Sequence, residues 1–340
     1  MYHCCKDVLL AWLILFGVLS CAQPQVQAPT DTRRTPALYP DHAVMGDGYV
    51  LPVAVWPAAG TPQAIVLALH GFNDYRKAFT DPGKLFAASG ITTYAYDQRG
   101  FGETQQRGLW PGTATLLADA AQMIALVCAE HPGVPLYLVG DSMGGAVSIS
   151  LLQDGTPECI NGVILIAPAV WGWQTMPVLQ RAGLRLLAHV APGYRPSAKG
   201  LDIMASDNIE MLRAQGRDPL VIKETRIDTL YGMVDLMETA LLASRQLPLP
   251  TLILYGEKDE IIPRRPACRM LERLPDAPPA DWRLVIYPDG YHMLTRDLQA
   301  DVVLQDMIAW LHDPRTALPS EHEANRDGTR AHALCAEFGD

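Results

Sequence analysis

Six residues, Gly140-Asp141-Ser142-Met143-Gly144-Gly145, constrain this chain more than any others. They follow a short apolar run, Leu136 to Val139, and precede a helix-compatible run from Ala146 to Leu152. A strand, a G-x-S-x-G turn and a helix in that order describe a nucleophile elbow. Such a turn is too tight for side chains at its flanks, so glycines stand there, and the serine hydroxyl points outward. Read this way, Ser142 is a covalent nucleophile. The competing reading is a glycine-rich helix start with a capping serine. The rest of the chain decides, by supplying or withholding a base, an acid and an oxyanion hole.

The flanking pattern supports an α/β domain. Continuous apolar runs at Ala64–Leu69, Ile91–Tyr96, Leu136–Val139, Val163–Ala167, Thr251–Tyr255 and Leu284–Tyr287 read as strands buried on both faces. Alternation around Gly46-Asp47-Gly48, from Met45 to Trp56, suggests an opening antiparallel hairpin. Helical patterns lie between the strands, at about 78–88, 113–130, 142–153 and 298–311. Buried strands alternating with helices predict a doubly wound, mostly parallel sheet. The rhythm breaks between Pro168 and Pro250, where helical patterns carry Trp171, Trp173, Leu187, Met211, Tyr231 and Met237. We read 43–168 and 250–312 as the core and 169–249 as an inserted helical cap, apolar enough to suit a greasy substrate. From residue 313 to 340 the chain turns polar and reads as a poorly ordered tail.

The N-terminus reads as an export signal: Lys6, then an apolar run from Val8 to Leu19. That run is shorter than the roughly 20 residues a helix needs to span a bilayer. Val18-Leu19-Ser20-Cys21 resembles a bacterial lipobox, which makes residues 1–20 a signal peptide and Cys21 a lipidation site. Ordinary cleavage after Ala22 and an uncleaved anchor are the alternatives. The Pro-, Gln- and Thr-rich stretch 21–42 reads as a flexible tether to a cell-envelope membrane, on the periplasmic side. An oxidising compartment would permit two disulfides among Cys128, Cys159, Cys268 and Cys335, with three complete pairings open. A net charge of −10 argues against nucleic acid as a partner. No Cys/His spacing suggests a metal. Oligomeric state is left open.

A serine hydroxyl needs a base to take its proton, and the base needs a carboxylate to orient it. On a sheet of this kind the chain order is Ser, then Asp or Glu, then His. Asp259 follows the strand beginning at Thr251, with Glu257 and Glu260 as rivals whose bland reading is solvated loop charge. His292 follows the last core strand and precedes the last helix, which selects it as the base. The oxyanion hole would use the N–H of Met143, after the nucleophile, and that of Phe72, in the loop Leu69-His70-Gly71-Phe72-Asn73-Asp74. His70 is expected to position that loop rather than to move protons.

Together, Leu69-His70-Gly71-Phe72, Asp97 to Gly102, Gly140 to Gly145, Gly256-Glu257-Lys258-Asp259 and Gly290-Tyr291-His292 resemble the α/β-hydrolase superfamily. More narrowly, they are similar to the monoacylglycerol lipase and lysophospholipase group. The resemblance implies an eight-stranded, mostly parallel sheet with an inserted helical cap, and Ser142, Asp259 and His292 as a triad. It also implies Phe72 and Met143 as the oxyanion hole, an acyl-ester or lipid substrate, and no cofactor. Two positions depart from the group: Asp141 stands where His is common, and Phe72-Asn73-Asp74-Tyr75 replaces a glycine and a Glu-His pair. Other serine chemistry on this fold (peptidase, thioesterase, cofactor-free haloperoxidase) and a non-catalytic scaffold are the alternatives.

Overall fold

Runs of residues that are apolar on both faces stack into the middle of one sheet. The computed structural model describes residues 22–28, 30, 32–153, 155, 157–196, 203–247, 249–275, 282–324 and 335. The signal peptide expected at 1–20 and the lipidation site expected at Cys21 lie outside the described residues. The strands are β1 (Ala37–Leu38), β2 (His42–Val44), β3 (Val50–Trp56), β4 (Ala64–Leu69), β5 (Ile91–Tyr96) and β6 (Leu136–Asp141). They continue with β7 (Ile160–Ile166), β8 (Thr251–Gly256), β9 (Trp282–Tyr287) and β10 (Glu323–Ala324). Every residue of β4, β5, β6 and β8 is buried, as their unbroken apolar character requires.

The sheet order is β1-β2-β3-β5-β4-β6-β7-β8-β9-β10. β5, β4, β6, β7, β8 and β9 run parallel. The hairpin β2–β3 joins this block antiparallel through β5. Among the described residues ten strands stand where eight were expected. The two extra ones, β1 and β10, are two residues each, too short to leave an alternating pattern.

Helices cover both faces. α1 (Thr80–Ala88) and α8 (Ala300–His312) close one side, over Val66, Val139, Ile164 and Leu254. α2 (Thr113–Glu130), α3 (Met143–Leu152), α6 (Ile227–Ala243) and α7 (Arg264–Leu271) close the other, over Leu67, Leu138 and Leu165. Between β7 and β8 lie α4 (Val178–Val190), α5 (Ile209–Arg217) and α6. α6 buries Met233, Leu236, Met237, Ala240 and Leu241 with the α3 side chains, so it belongs to the layer over the sheet. α4 buries only Ala188 and α5 nothing, so the exposed part of the insertion is these two helices.

Two expectations about the chain ends change. Among the described residues of the segment read as a tether, 21–42, Gln25, Gln27, Thr30 and Arg34 are hydrogen-bonded to the body of the fold and Ala37–Leu38 form β1. The Gln27 side chain donates to the Leu109 carbonyl at 2.8 Å, its backbone N–H donates to Trp110, and Arg226 donates to the Gln25 side chain. Primary amides satisfy loop carbonyls directly, so a segment poor in apolar residues still packs. The tail expected to be loose from residue 313 is held as far as 324. Arg283 bonds Glu323 and the carbonyls of Pro314 and Thr316, while Asp306 accepts from Ser320 N–H. The cysteines pair as Cys128–Cys159 and Cys268–Cys335, one of the three pairings left open.

Candidate active site

Strand order 5-4-6 reverses the direction of winding at β4, and ligands of such sheets bind beyond the carboxyl ends of the strands next to such a reversal. The residues expected to form the triad and the oxyanion hole all follow carboxyl ends of strands in this sheet, β4 and β6 at the reversal and β8 and β9 farther along. Gly71 and Phe72 follow β4, Ser142 and Met143 follow β6, Asp259 follows β8, and His292 follows β9.

Ser142 joins β6 to α3 with φ 50° and ψ −107°, a left-handed backbone state unusual for a residue with a side chain. Two glycines make that turn possible. A Cβ on Gly140 would sit 2.5 Å from the Gly144 carbonyl oxygen, and one on Gly144 would overlap the Leu69 carbonyl. Ser142 N–H donates to Ile166 at 2.9 Å and its carbonyl accepts from Ala169 at 3.0 Å, which fixes the turn against β7. A capping serine would bond the first-turn amides, but the Ser142 side chain makes no cap hydrogen bond. The Met143 N–H is left without an intrahelical acceptor by its place in the first turn.

The base and acid meet directly. His292 Nδ1 lies 2.8 Å from Asp259 Oδ2, both buried. The other carboxylate oxygen, Oδ1, accepts from Ile261 and Ile262 N–H at 2.8 and 2.9 Å. Asp259 is thus fixed by backbone donors and presents its free edge to the imidazole. The rivals point elsewhere: Glu260 is exposed and accepts from Met204 N–H, and Glu257 is only half-buried. Burial alone would push the His292 pKa down. The charge and hydrogen bond of Asp259, with the charge of Asp141, outweigh it and leave the pKa raised above 6.5.

The oxyanion loop lies against the elbow. A Cβ on Gly71 would stand 3.4 Å from Ser142 Cβ and 3.6 Å from Asp141 Oδ2, in ordinary contact, so the loop backbone runs alongside the elbow. Phe72 packs edge-to-face on Phe101, at 5.6 Å between rings. His70 is fully buried beneath the loop. Gln98 N–H donates to its Nε2 at 3.0 Å, which leaves Nδ1–H to donate to the Gly71 carbonyl at 2.8 Å. Burial lowers its pKa, so the ring stays neutral and acts as a strut. Among the described residues, no group of three His, Cys, Asp or Glu side chains is placed to hold a metal ion.

The insertion is tied to both loops. Asn73 Nδ2 donates to Thr225 at 2.7 Å, and Ile222 N–H donates to the Asn73 carbonyl. Met293 N–H donates to Ala205, and Ser206 donates to Asp297 at 2.6 Å. A cavity of about 470 Å³ is walled by Tyr75, Met211, Gln215, Thr295 and Arg296, but by none of Ser142, Asp259 or His292. One group escaped the sequence reading. Arg296, four residues after His292, bridges Asp74 at 2.7 Å and Asp141 at 3.8 Å. Only the unusual Asp141 hinted at it, since a carboxylate buried there requires a cation.

The chain is similar to monoglyceride lipase of Mus musculus, with 26% identity over 299 residues, 85% of this chain and 95% of that protein. It is 24% identical over 274 residues to monoacylglycerol lipase of Mycolicibacterium smegmatis, 80% of this chain and 96% of that one. Among solved structures, a soluble variant of Saccharomyces cerevisiae monoglyceride lipase with a substrate analogue superposes with a TM-score of 0.68. That match has 23% identity and covers 85% of this chain and 100% of that one. The structure of Paleococcus ferrophilus monoacylglycerol lipase gives 0.65 at 24% identity, over 77% and 98% of the two chains. Residues 60–299 match the family model Hydrolase_4, described as serine aminopeptidase, S33. With the elbow, the buried His–Asp pair and this match over most of its length, the chain belongs to the Hydrolase_4 family of α/β-hydrolases and is a hydrolase of the lipase and esterase type.

Proposed function

We propose that the protein cleaves carboxylic esters of mono-acyl lipids, monoacylglycerols foremost, through an acyl-enzyme on Ser142. What supports the reading is the buried His292–Asp259 hydrogen bond, together with an elbow serine whose side chain is not spent on capping. Ser142 Oγ attacks the ester carbonyl while His292 Nε2 takes its proton. The oxygen turns anionic and is met by the N–H groups of Phe72 and Met143. The tetrahedral species collapses, the C–O bond to the alcohol breaks, and the alcohol leaves with the proton from His292. Water then gives its proton to His292 and attacks the acyl carbon. The fatty acid leaves, and Ser142 regains its proton. Asp259 keeps Nδ1 protonated and balances the imidazolium.

Lipid as the acyl donor is supported by the likeness to monoglyceride and monoacylglycerol lipases and by the insertion. Its helices α4 and α5 act as a cap, tied to the oxyanion loop through Asn73 and to the His292 loop through Ala205 and Ser206. α4 presents Val178, Leu179, Leu186 and Val190 to solvent, an apolar surface suited to acyl chains. Lipidation at Cys21, within Val18-Leu19-Ser20-Cys21, would hold the enzyme at a bacterial envelope membrane where such substrates lie.

The family description, serine aminopeptidase, keeps amide cleavage as a second reading. A panel of monoacylglycerols, lysophospholipids, short nitrophenyl esters and aminoacyl arylamides separates the two. Turnover of long-chain monoacylglycerols with negligible arylamide cleavage is expected. Preferential arylamide cleavage overturns the ester reading.

A further inference from the structure

Asp141 creates an electrostatic problem at the place where the reaction builds negative charge. Its carboxylate is 8% exposed and lies directly beneath Gly71, the residue before the expected oxyanion donor Phe72. A second carboxylate, Asp74, sits in the same loop at 7% exposure and accepts from Tyr75 N–H at 2.9 Å. Two buried like charges repel, and both oppose a third on the oxyanion. Arg296 stands between them, with one guanidinium nitrogen 2.7 Å from Asp74 and the other 3.8 Å from Asp141. From α5, Gln215 donates to the same Asp74 oxygen at 3.0 Å.

We propose that Arg296 is a positioning residue of the hydrolytic site, clamping the oxyanion loop to the nucleophile elbow and cancelling the carboxylate beneath the oxyanion. The proposal rests on the serine-hydrolase reading and adds a residue to it. Without the guanidinium, Asp74 and Asp141 push apart, and the Phe72 N–H moves away from the oxygen it must meet. Arg296 acts on His292 as well. The charged groups facing that ring are Asp259 from the β8 loop, Asp141 from the elbow, and Arg296 and Asp297 from its own loop. Asp74 and neutral His70 stand behind Arg296, and Asp207 of the insertion stands behind Asp297. Arg296 lowers the proton affinity of His292 and Asp141 raises it, so the pair adjusts a titration governed chiefly by burial and Asp259.

The test compares Arg296→Gln, Asp141→Asn and the double variant in monoacylglycerol hydrolysis across pH, with the His292 imidazole titrated by NMR in each. Arg296→Gln is expected to lower kcat about tenfold or more with KM little changed. It should also move the His292 pKa up. Asp141→Asn alone should move it down. The double variant should recover most of the lost kcat, because the unpaired carboxylate is gone; a residue that only supports the fold gives no such rescue. Unchanged kcat in Arg296→Gln, no relief in the double variant, or a His292 pKa indifferent to Asp141→Asn overturns the proposal. If Arg296→Gln does not fold, the Asp141→Asn titration decides alone. Because the titration needs no substrate, a wild-type protein that hydrolyses no ester defeats the ester reading without touching this result.

Discussion

His292 shows how neighbours, rather than residue type, set the working range of a side chain. Burial pushes its pKa down, and the carboxylates of Asp259 and Asp141 push it further up. The base must be neutral to accept the Ser142 proton, so activity is lost as pH falls through the raised value. The acid limb of kcat/KM is therefore expected above the ordinary histidine value of about 6.5. Asp259→Asn should bring that limb down and cut kcat by about 10⁴-fold, as loss of the orienting carboxylate does elsewhere. A pH–rate profile of both proteins checks this; a limb below 6.5 in the wild type contradicts it. At this scale the sequence was informative about where Ser142, Asp259 and His292 lie, because each follows a strand, and the structure pairs His292 with Asp259. It was silent about Arg296, whose partners Asp74 and Asp141 are 222 and 155 residues away in the chain (296 − 74 and 296 − 141).

Elements were legible where the hydrophobic period was long and unbroken. α2 spans Thr113–Glu130, the predicted range, and β4 and β5 match their apolar runs residue for residue. α6 was grouped with the cap because it follows β7 without a strand, yet it packs on α3; sequence shows an apolar face but not what meets it. Which cysteines pair was invisible for the same reason, since pairing is a property of the folded chain. Cys128, near the end of α2, joins Cys159, just before β7, at the end of the sheet away from Ser142. Replacing both by Ser frees a loop with a sequence separation of 31 in the unfolded chain. That change is expected to cost about 3–4 kcal/mol of stability. Denaturant unfolding measures the loss, with kcat unchanged. Equal stability of the two proteins contradicts it.

At the scale of the whole molecule, the N-terminal arm matters most. The bonds of Gln25 and Gln27 to Asp228, Arg226, Leu109 and Trp110 lay the chain from residue 22 along the loop before α2 and the start of α6. A lipid on Cys21 would therefore attach the enzyme close to its insertion rather than through a long leash. Cys21→Ser is expected to abolish palmitate labelling in a bacterial host and to move the activity from membranes to the soluble fraction. Labelling that survives the substitution contradicts lipidation at that residue. The proposed chemistry depends on one hydroxyl, that of Ser142 on the elbow after β6. The most direct measurement is the hydrolysis of a long-chain monoacylglycerol by the wild type and by Ser142→Ala at equal folded concentration. The account predicts steady turnover by the wild type and a fall of about 10⁴-fold or more in the variant. Full activity in Ser142→Ala would contradict it.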